Sequence, residues 1–215
     1  MFSLPPAQPL PAPSAFVSTV DNPYFPLRPG TTLRYEGTAD GERAVDTVTV
    51  TRRAKRILGI SAVVVLDVAT LNGKPSEKTN DWYAQDNRGN VWYLGEDSFD
   101  RKRGKWVRND GSWQAGVGGA RAGVIMKGRR RVGETYRQEF YKGHAEDFGR
   151  VLRTGVSVST PYRGFRNAIE TRDWSPLEPG VVEHKYYARG IGEVRSLLVE
   201  GGAERMALVS VTRGK

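Results

Sequence analysis

The feature that most constrains this chain is a train of tight-turn signals set between short alternating segments. Asp40-Gly41, Asn72-Gly73 and Asn87-Arg88-Gly89-Asn90 each supply residues that tolerate the positive φ of a hairpin turn. Between them the side chains alternate with period two. Thr31 to Gly37 reads as a half-buried strand, and in the next strand Val45, Thr47, Thr49 and Thr51 share one face while Asp46, Val48 and Val50 share the other. Ile57 to Leu71 is the most apolar run. Its Val63-Val64-Val65-Leu66 core is β-branched and lacks helical spacing, so it is expected to be a central strand with Gly59 at a bend or bulge. Later strands are expected over Glu134–Tyr141, Arg150–Ser159, Ala168–Trp174, Val182–Ala188, Gly192–Glu200 and Arg205–Thr212. Turn signals recur about every 8 to 12 residues, and no segment has the 3.6-residue period of a helix. The fold class is all-β: an antiparallel meander of roughly a dozen strands closed into a barrel or folded as a sandwich. No fixed repeat is visible, which argues against a propeller or solenoid.

At 215 residues the chain can bury a sizeable core without cross-links, and with no cysteine it has neither disulfides nor thiolate metal sites. Two regions stand apart. Residues 1–15 include Pro5, Pro6, Pro9, Pro11 and Pro13 and read as an extended tail, leaving 16–215 as a single β domain. Within that domain Asp21 to Gly30 is a turn-rich entry whose apolar side chains could plug one end. Asp110 to Gly133, with seven glycines, is expected to be a long loop acting as a lid or rim.

The net charge of +9 favours anionic partners. Its dense runs are Arg52–Arg56, Arg101–Lys105 and Lys127–Arg131, each expected at a separate turn, so nucleic acid is the least favoured partner. No apolar run is long enough for a transmembrane segment. The first residues lack the basic-then-apolar order of an export signal.

Several long strings carry a resemblance. Val20-Asp21-Asn22-Pro23-Tyr24-Phe25-Pro26-Leu27, Asp81-Trp82-Tyr83-Ala84-Gln85-Asp86, Gly89-Asn90-Val91-Trp92-Tyr93, Tyr136-Arg137-Gln138-Glu139 and Pro176 to Tyr187 resemble a family of functionally uncharacterised bacterial exported, lipoprotein-like β proteins. The likeness spans about Val20 to Val211. It implies a β-rich fold and an extracytoplasmic location, secreted or membrane-anchored. It offers no catalytic residues to carry over. The strong basic charge, Lys127–Arg131 above all, and the lack of a signal sequence depart from that pattern.

Three constellations are candidates for chemistry. The two histidines both adjoin carboxylates: His144 lies near Glu146 and Asp147, and His184 lies beside Glu183. If the two places met, His144, Glu146 and His184 could ligate a divalent metal; with Glu139 and Glu183 they could instead serve an enzyme as acid and base. On an extended strand His144 and Glu146 share a face, whereas Glu183 and His184 point apart. The competing reading is polar residues at surface turns. Asp81, Asp86, Asn87 and Glu96 form a second group, with oxygen ligands about a glycine bend as in calcium loops, but hairpin chemistry explains Asn87 to Asn90 unaided. Third are the aromatics Trp82, Tyr83, Trp92, Tyr93, Trp113, Tyr141 and Tyr187. In each adjacent pair one ring faces each side of the sheet, so one set fills a core and the other can line a site. The favoured expectation is a barrel with an aromatic-lined opening for a small-molecule or glycan-like ligand carrying a polar or anionic group. No nucleophile elbow, phosphate loop or dinucleotide fingerprint occurs.

Overall fold

The computed structural model describes residues 5–6 and 8–214. Fifteen strands make one sheet: β1 (Thr31–Ala39), β2 (Glu42–Ile57), β3 (Ile60–Leu71), β4 (Lys74–Gln85), β5 (Val91–Lys102), β6 (Lys105–Arg108), β7 (Trp113–Gln114), β8 (Arg121–Met126), β9 (Thr135–Arg137), β10 (Glu139–Phe140), β11 (Phe148–Ser159), β12 (Gly164–Trp174), β13 (Val182–Ala188), β14 (Gly192–Glu200) and β15 (Arg205–Arg213). Every pairing is antiparallel. The order runs β10-β8-β5-β4-β3-β2-β1-β15-β14-β13-β12-β11-β9, with β6 and β7 on β5.

The two ends of that order are neighbours in sequence. Residues 135–140 form one bent segment: Thr135–Arg137 pairs with β11, and Glu139–Phe140 pairs with β8. The sheet thus curls almost fully into a barrel, which removes most of its open edge. The bend needs close backbone approach. A Cβ on Gly123 would sit 2.4 Å from the Gln138 carbonyl, so only glycine fits there.

The turn chemistry is as the sequence indicates at Asp40-Gly41 and Asn72-Gly73, both with positive φ. Gly59 differs. Leu58 (φ 49°) and Gly59 (φ 82°) form a two-residue hairpin turn that divides the apolar run into β2 and β3. Arg52–Arg56 therefore lies within β2 and not on a loop tip. The glycine-rich segment is also corrected. Trp113, Ala115, Ala120, Ala122 and Val124 are buried, and residues 121–126 are a barrel strand, so much of 113–126 is wall, and a loop remains at 127–133.

Alternation assigns the faces. Tyr83, Asp81 and Thr79 on β4 point into the barrel, so Trp82 points out, and the register Ala84–Trp92 against Tyr83–Tyr93 carries the same division onto β5. The outward Trp82 and Trp92 are nonetheless buried, at 5% and 3% exposure. Leu10 and Phe16 pack on this outer layer, with Phe16 edge-on to Trp92 at 6.4 Å, while the Ala15 carbonyl accepts the Asn87 amide. The Pro-rich segment thus covers an outer apolar face along at least part of its length.

Candidate functional site

The Val20–Leu27 segment closes one end of the barrel. Asn22 anchors it, its side-chain amide donating to the carbonyls of Gly89 and Lys127. The Gln85 side chain accepts the amides of Asp21 and Asn22. Phe25 packs edge-on to Tyr83 at 5.3 Å and lies 6.4 Å from Tyr187. Above this plug is a cavity of about 510 Å³. It runs from Phe25, Leu27, Leu33 and Val48 towards the opposite end, where Ala39, Leu71 and Glu204 line its mouth beside the hairpin turns.

Among the described residues seven carboxyl groups line the cavity (Asp46, Asp67, Glu77, Asp81, Glu183, Glu193 and Glu204) against a single ammonium, Lys185. In a chain of net charge +9 the lumen is therefore acidic, and Lys185 is the one cation among its described lining residues. The anionic ligand expected from the basic loops does not match this lining, because those loops do not reach the lumen.

The acids occupy two opposed walls. On one, Lys185 Nζ sits 3.2 Å from Glu183 and 3.9 Å from Asp173. Glu183 above all holds the ammonium charged, well above the usual lysine range, while burial pushes the neighbouring Glu193 up to about 8. On the other wall Asp46, Asp67, Glu77 and Asp81 face the cavity with no lysine or arginine among the lining residues there. Burial raises both Asp46 and Asp67, whose side chains meet, and for Asp67 the adjoining Asp46 raises it further. Asp46 Oδ1 is enclosed and finds no hydrogen-bond partner among the described residues.

Beside them Tyr93 Oη lies 2.6 Å from Asp81 Oδ1 and 2.7 Å from Glu96 Oε2. A phenol has one hydrogen. It can donate to one carboxylate only, so the second short contact requires a proton on one of the two acids. Burial raises Asp81 to about 7 and Glu96 to about 8, which places that shared proton in the neutral range. Tyr83 stacks on Tyr93 at 4.8 Å and covers the triad. Two further acids pair behind Trp113: Glu139 accepts its indole N–H at 2.7 Å and is raised first by burial and next by Asp147.

The residues expected from the sequence are thus distributed as follows. Tyr83 and Tyr187 line the cavity; Tyr93 and Trp113 stand behind them, edge-on at 5.4 Å. Trp82 and Trp92 belong to the outer layer. Tyr141 stacks on the His144 ring at 4.4 Å at a surface turn, where His144 Nδ1 is 3.2 Å from the Asp110 carbonyl oxygen. Glu146 caps the same turn by accepting the Gly143 amide. His184 points out of the barrel, 3.0 Å from Glu170, which also accepts from Tyr186 and Arg153. Glu183, its neighbour, points in, as alternation requires. His144 and His184 accordingly have separate surroundings. Among the described residues no three His, Asp or Glu side chains are grouped as a metal ion requires. The metal set His144, Glu146 and His184 is not assembled, nor does Glu139 join the histidines as acid and base. Asp86 is also accounted for: it accepts the amides of Arg88 and Asn90, the Asn90 side chain and the Trp92 indole, which leaves no oxygen free for calcium.

Sequence reasoning missed Asp46, Asp67, Glu77, Glu193 and Lys185. A signal existed for two of them: Asp46 shares a strand face with Val48 and Val50, and Asp67 follows the most apolar run in the chain.

No protein-family model matches the chain, and no curated protein matches it. Among solved structures, a lipoprotein-like protein from Parabacteroides distasonis is similar, with a TM-score of 0.48 and 14% identity over 88% of this chain and 98% of that one.

Proposed function

We propose that this protein is a binding protein whose barrel lumen takes a small organic cation, an amine or guanidinium compound with an apolar portion. The observation that carries the reading is the acid wall of Asp46, Asp67, Glu77 and Asp81, which faces a cavity of about 510 Å³ with no lysine or arginine on that wall; the one ammonium across the lumen, Lys185, is paired with Glu183. Burial raises Asp46, Asp67 and Asp81, so these carboxyls keep their protons to higher pH than exposed ones do. A ligand ammonium would replace those protons and satisfy the enclosed Asp46 oxygen. Tyr83 offers a ring face to such a cation, and Phe25, Leu27, Leu33 and Val48 offer an apolar floor to its carbon skeleton. Lys185 and its acids on the far wall are already neutralised and set the polarity of binding.

An extracytoplasmic site of action is part of the proposal, supported by the resemblance of the Val20–Leu27 and Asp81–Asp86 strings to exported β proteins. No catalytic step is assigned, because the histidines and carboxylates that would supply one are dispersed.

Calorimetric titration with 1,4-diaminobutane, phenethylamine, glucose and succinate tests the reading. Binding is expected for the amines alone, with proton release into the buffer and affinity rising with pH as the acids ionise. Asp67→Asn combined with Asp81→Asn should weaken it at least tenfold. Preferential binding of glucose or succinate would overturn the proposal.

A further inference from the structure

The plug end carries a second surface whose composition is opposite to that of the lumen. Six exposed arginines surround Val20–Leu27: Arg28, Arg88, Arg129, Arg131, Arg189 and Arg213. Their grouping follows from backbone contacts. Arg28 and Arg213 border one shallow depression with Gly190, whose amide donates to Pro23. The Arg88 carbonyl lies so close to Gly128 that a Cβ there would be 2.1 Å from it, which brings Arg88 against the start of the 127–133 loop. Within that loop Arg130 lies over the Tyr24 ring at 4.7 Å, near enough to Arg189 to feel its charge.

None of the six forms an ion pair among the described residues. The nearby acids are largely engaged: Glu134 pairs with Lys127, Asp86 is consumed by its turn, and Asp21 accepts the Gln85 side chain. Two apolar side chains project at the same end, Val132 at 62% exposure and Val17 at 40%. Unpaired guanidinium groups interspersed with exposed aliphatic side chains suit a surface that is anionic outside and apolar beneath. A nucleic-acid surface would call for exposed rings to stack on bases, whereas Tyr24 is covered by Arg130 and bonded to the Asn167 carbonyl.

We propose that the plug end of the barrel docks on the phosphate headgroups of an anionic phospholipid bilayer, leaving the cavity mouth facing away from the membrane. The proposal is independent of what occupies the lumen. Co-sedimentation with phosphatidylglycerol–phosphatidylcholine vesicles, and with phosphatidylcholine vesicles alone, tests it. Binding is expected only to the former and should fall with added salt. Arg129→Gln/Arg131→Gln/Arg189→Gln removes three charges and should lower partitioning roughly 100-fold. Lys74→Gln/Arg103→Gln/Lys105→Gln removes three from the mouth end and should change it less than about threefold, within scatter for side chains far from the contact. All six substitutions are at surface positions, and thermal melts confirm that both variants fold. Equal losses from the two variants, no preference for phosphatidylglycerol, or tighter binding to a single-stranded oligonucleotide at the same salt would each overturn it.

Discussion

Asp81→Asn is expected to make the protein more stable at neutral and alkaline pH while leaving it unchanged in mild acid. Burial lifts the Asp81 pKa from 3.8 to about 7. In the unfolded chain the carboxyl ionises near its ordinary value, so across the interval between the two values the folded state holds a proton that the unfolded state has lost. Stability from this group is therefore fully present below about pH 4 and falls as pH rises towards 7, by about 1.4 kcal/mol per pH unit. The whole interval amounts to about 4 kcal/mol, and the part between pH 5 and pH 8 to about 3 kcal/mol. An asparagine keeps the shape, accepts the Tyr93 hydroxyl through its amide oxygen, and has no charge to desolvate. Urea unfolding followed by tryptophan fluorescence measures the difference. Near pH 4 the two midpoints should coincide within about 0.3 M. At pH 8 the variant should lead by about 1.5 to 2 M, taking a slope of about 2 to 3 kcal/mol/M for a domain of this size. A constant offset between the two proteins from pH 5 to pH 9 would refute the shared-proton arrangement, because a group titrating alike in both states cannot be there.

Other perturbations probe separate parts of the structure. Asp86→Ala should cost about 2 to 4 kcal/mol in urea unfolding, since it leaves the buried Trp92 indole and two turn amides without an acceptor; a loss under about 0.5 kcal/mol would show that water replaces it. Lys185→Met removes the ammonium between Glu183 and Asp173, and the midpoint should drop more at pH 8 than at pH 5 because Glu193 and Asp173, both raised by burial, lose the charge that favours their ionised forms; a drop independent of pH would place Lys185 outside the acid network. Gly123→Ala should strain the barrel seam, and hydrogen exchange should rise first at residues 135–140; protection as in the wild type would show that the Gln138 backbone can move aside.

The strand plan was open to reading because its signals are local. Asp40-Gly41 and Asn72-Gly73 fold through their own φ preferences, and alternation along Trp82-Tyr83 and Trp92-Tyr93 places one ring on each face whatever the fold around them. Glu183 and His184 part for the same reason. The glycines of 110–133 misled because glycine marks close backbone approach as readily as mobility. Gly123 is there to let Gln138 pass, a contact between residues that only barrel closure brings together.

What the chain specifies by itself is an antiparallel all-β fold, its main hairpins, and which neighbours share a face, since each depends on interactions within a few residues. Which face becomes the lumen depends on the remote partners of every strand. Asp46, Asp67 and Asp81 lie on β2, β3 and β4, and Glu193 and Lys185 on strands more than 100 residues further along; they become one acidic cavity only when β9 and β10 join the two edges of the sheet. The sign of the site was for that reason hidden beneath a net charge of +9, because total charge records what a surface carries and not what a barrel encloses.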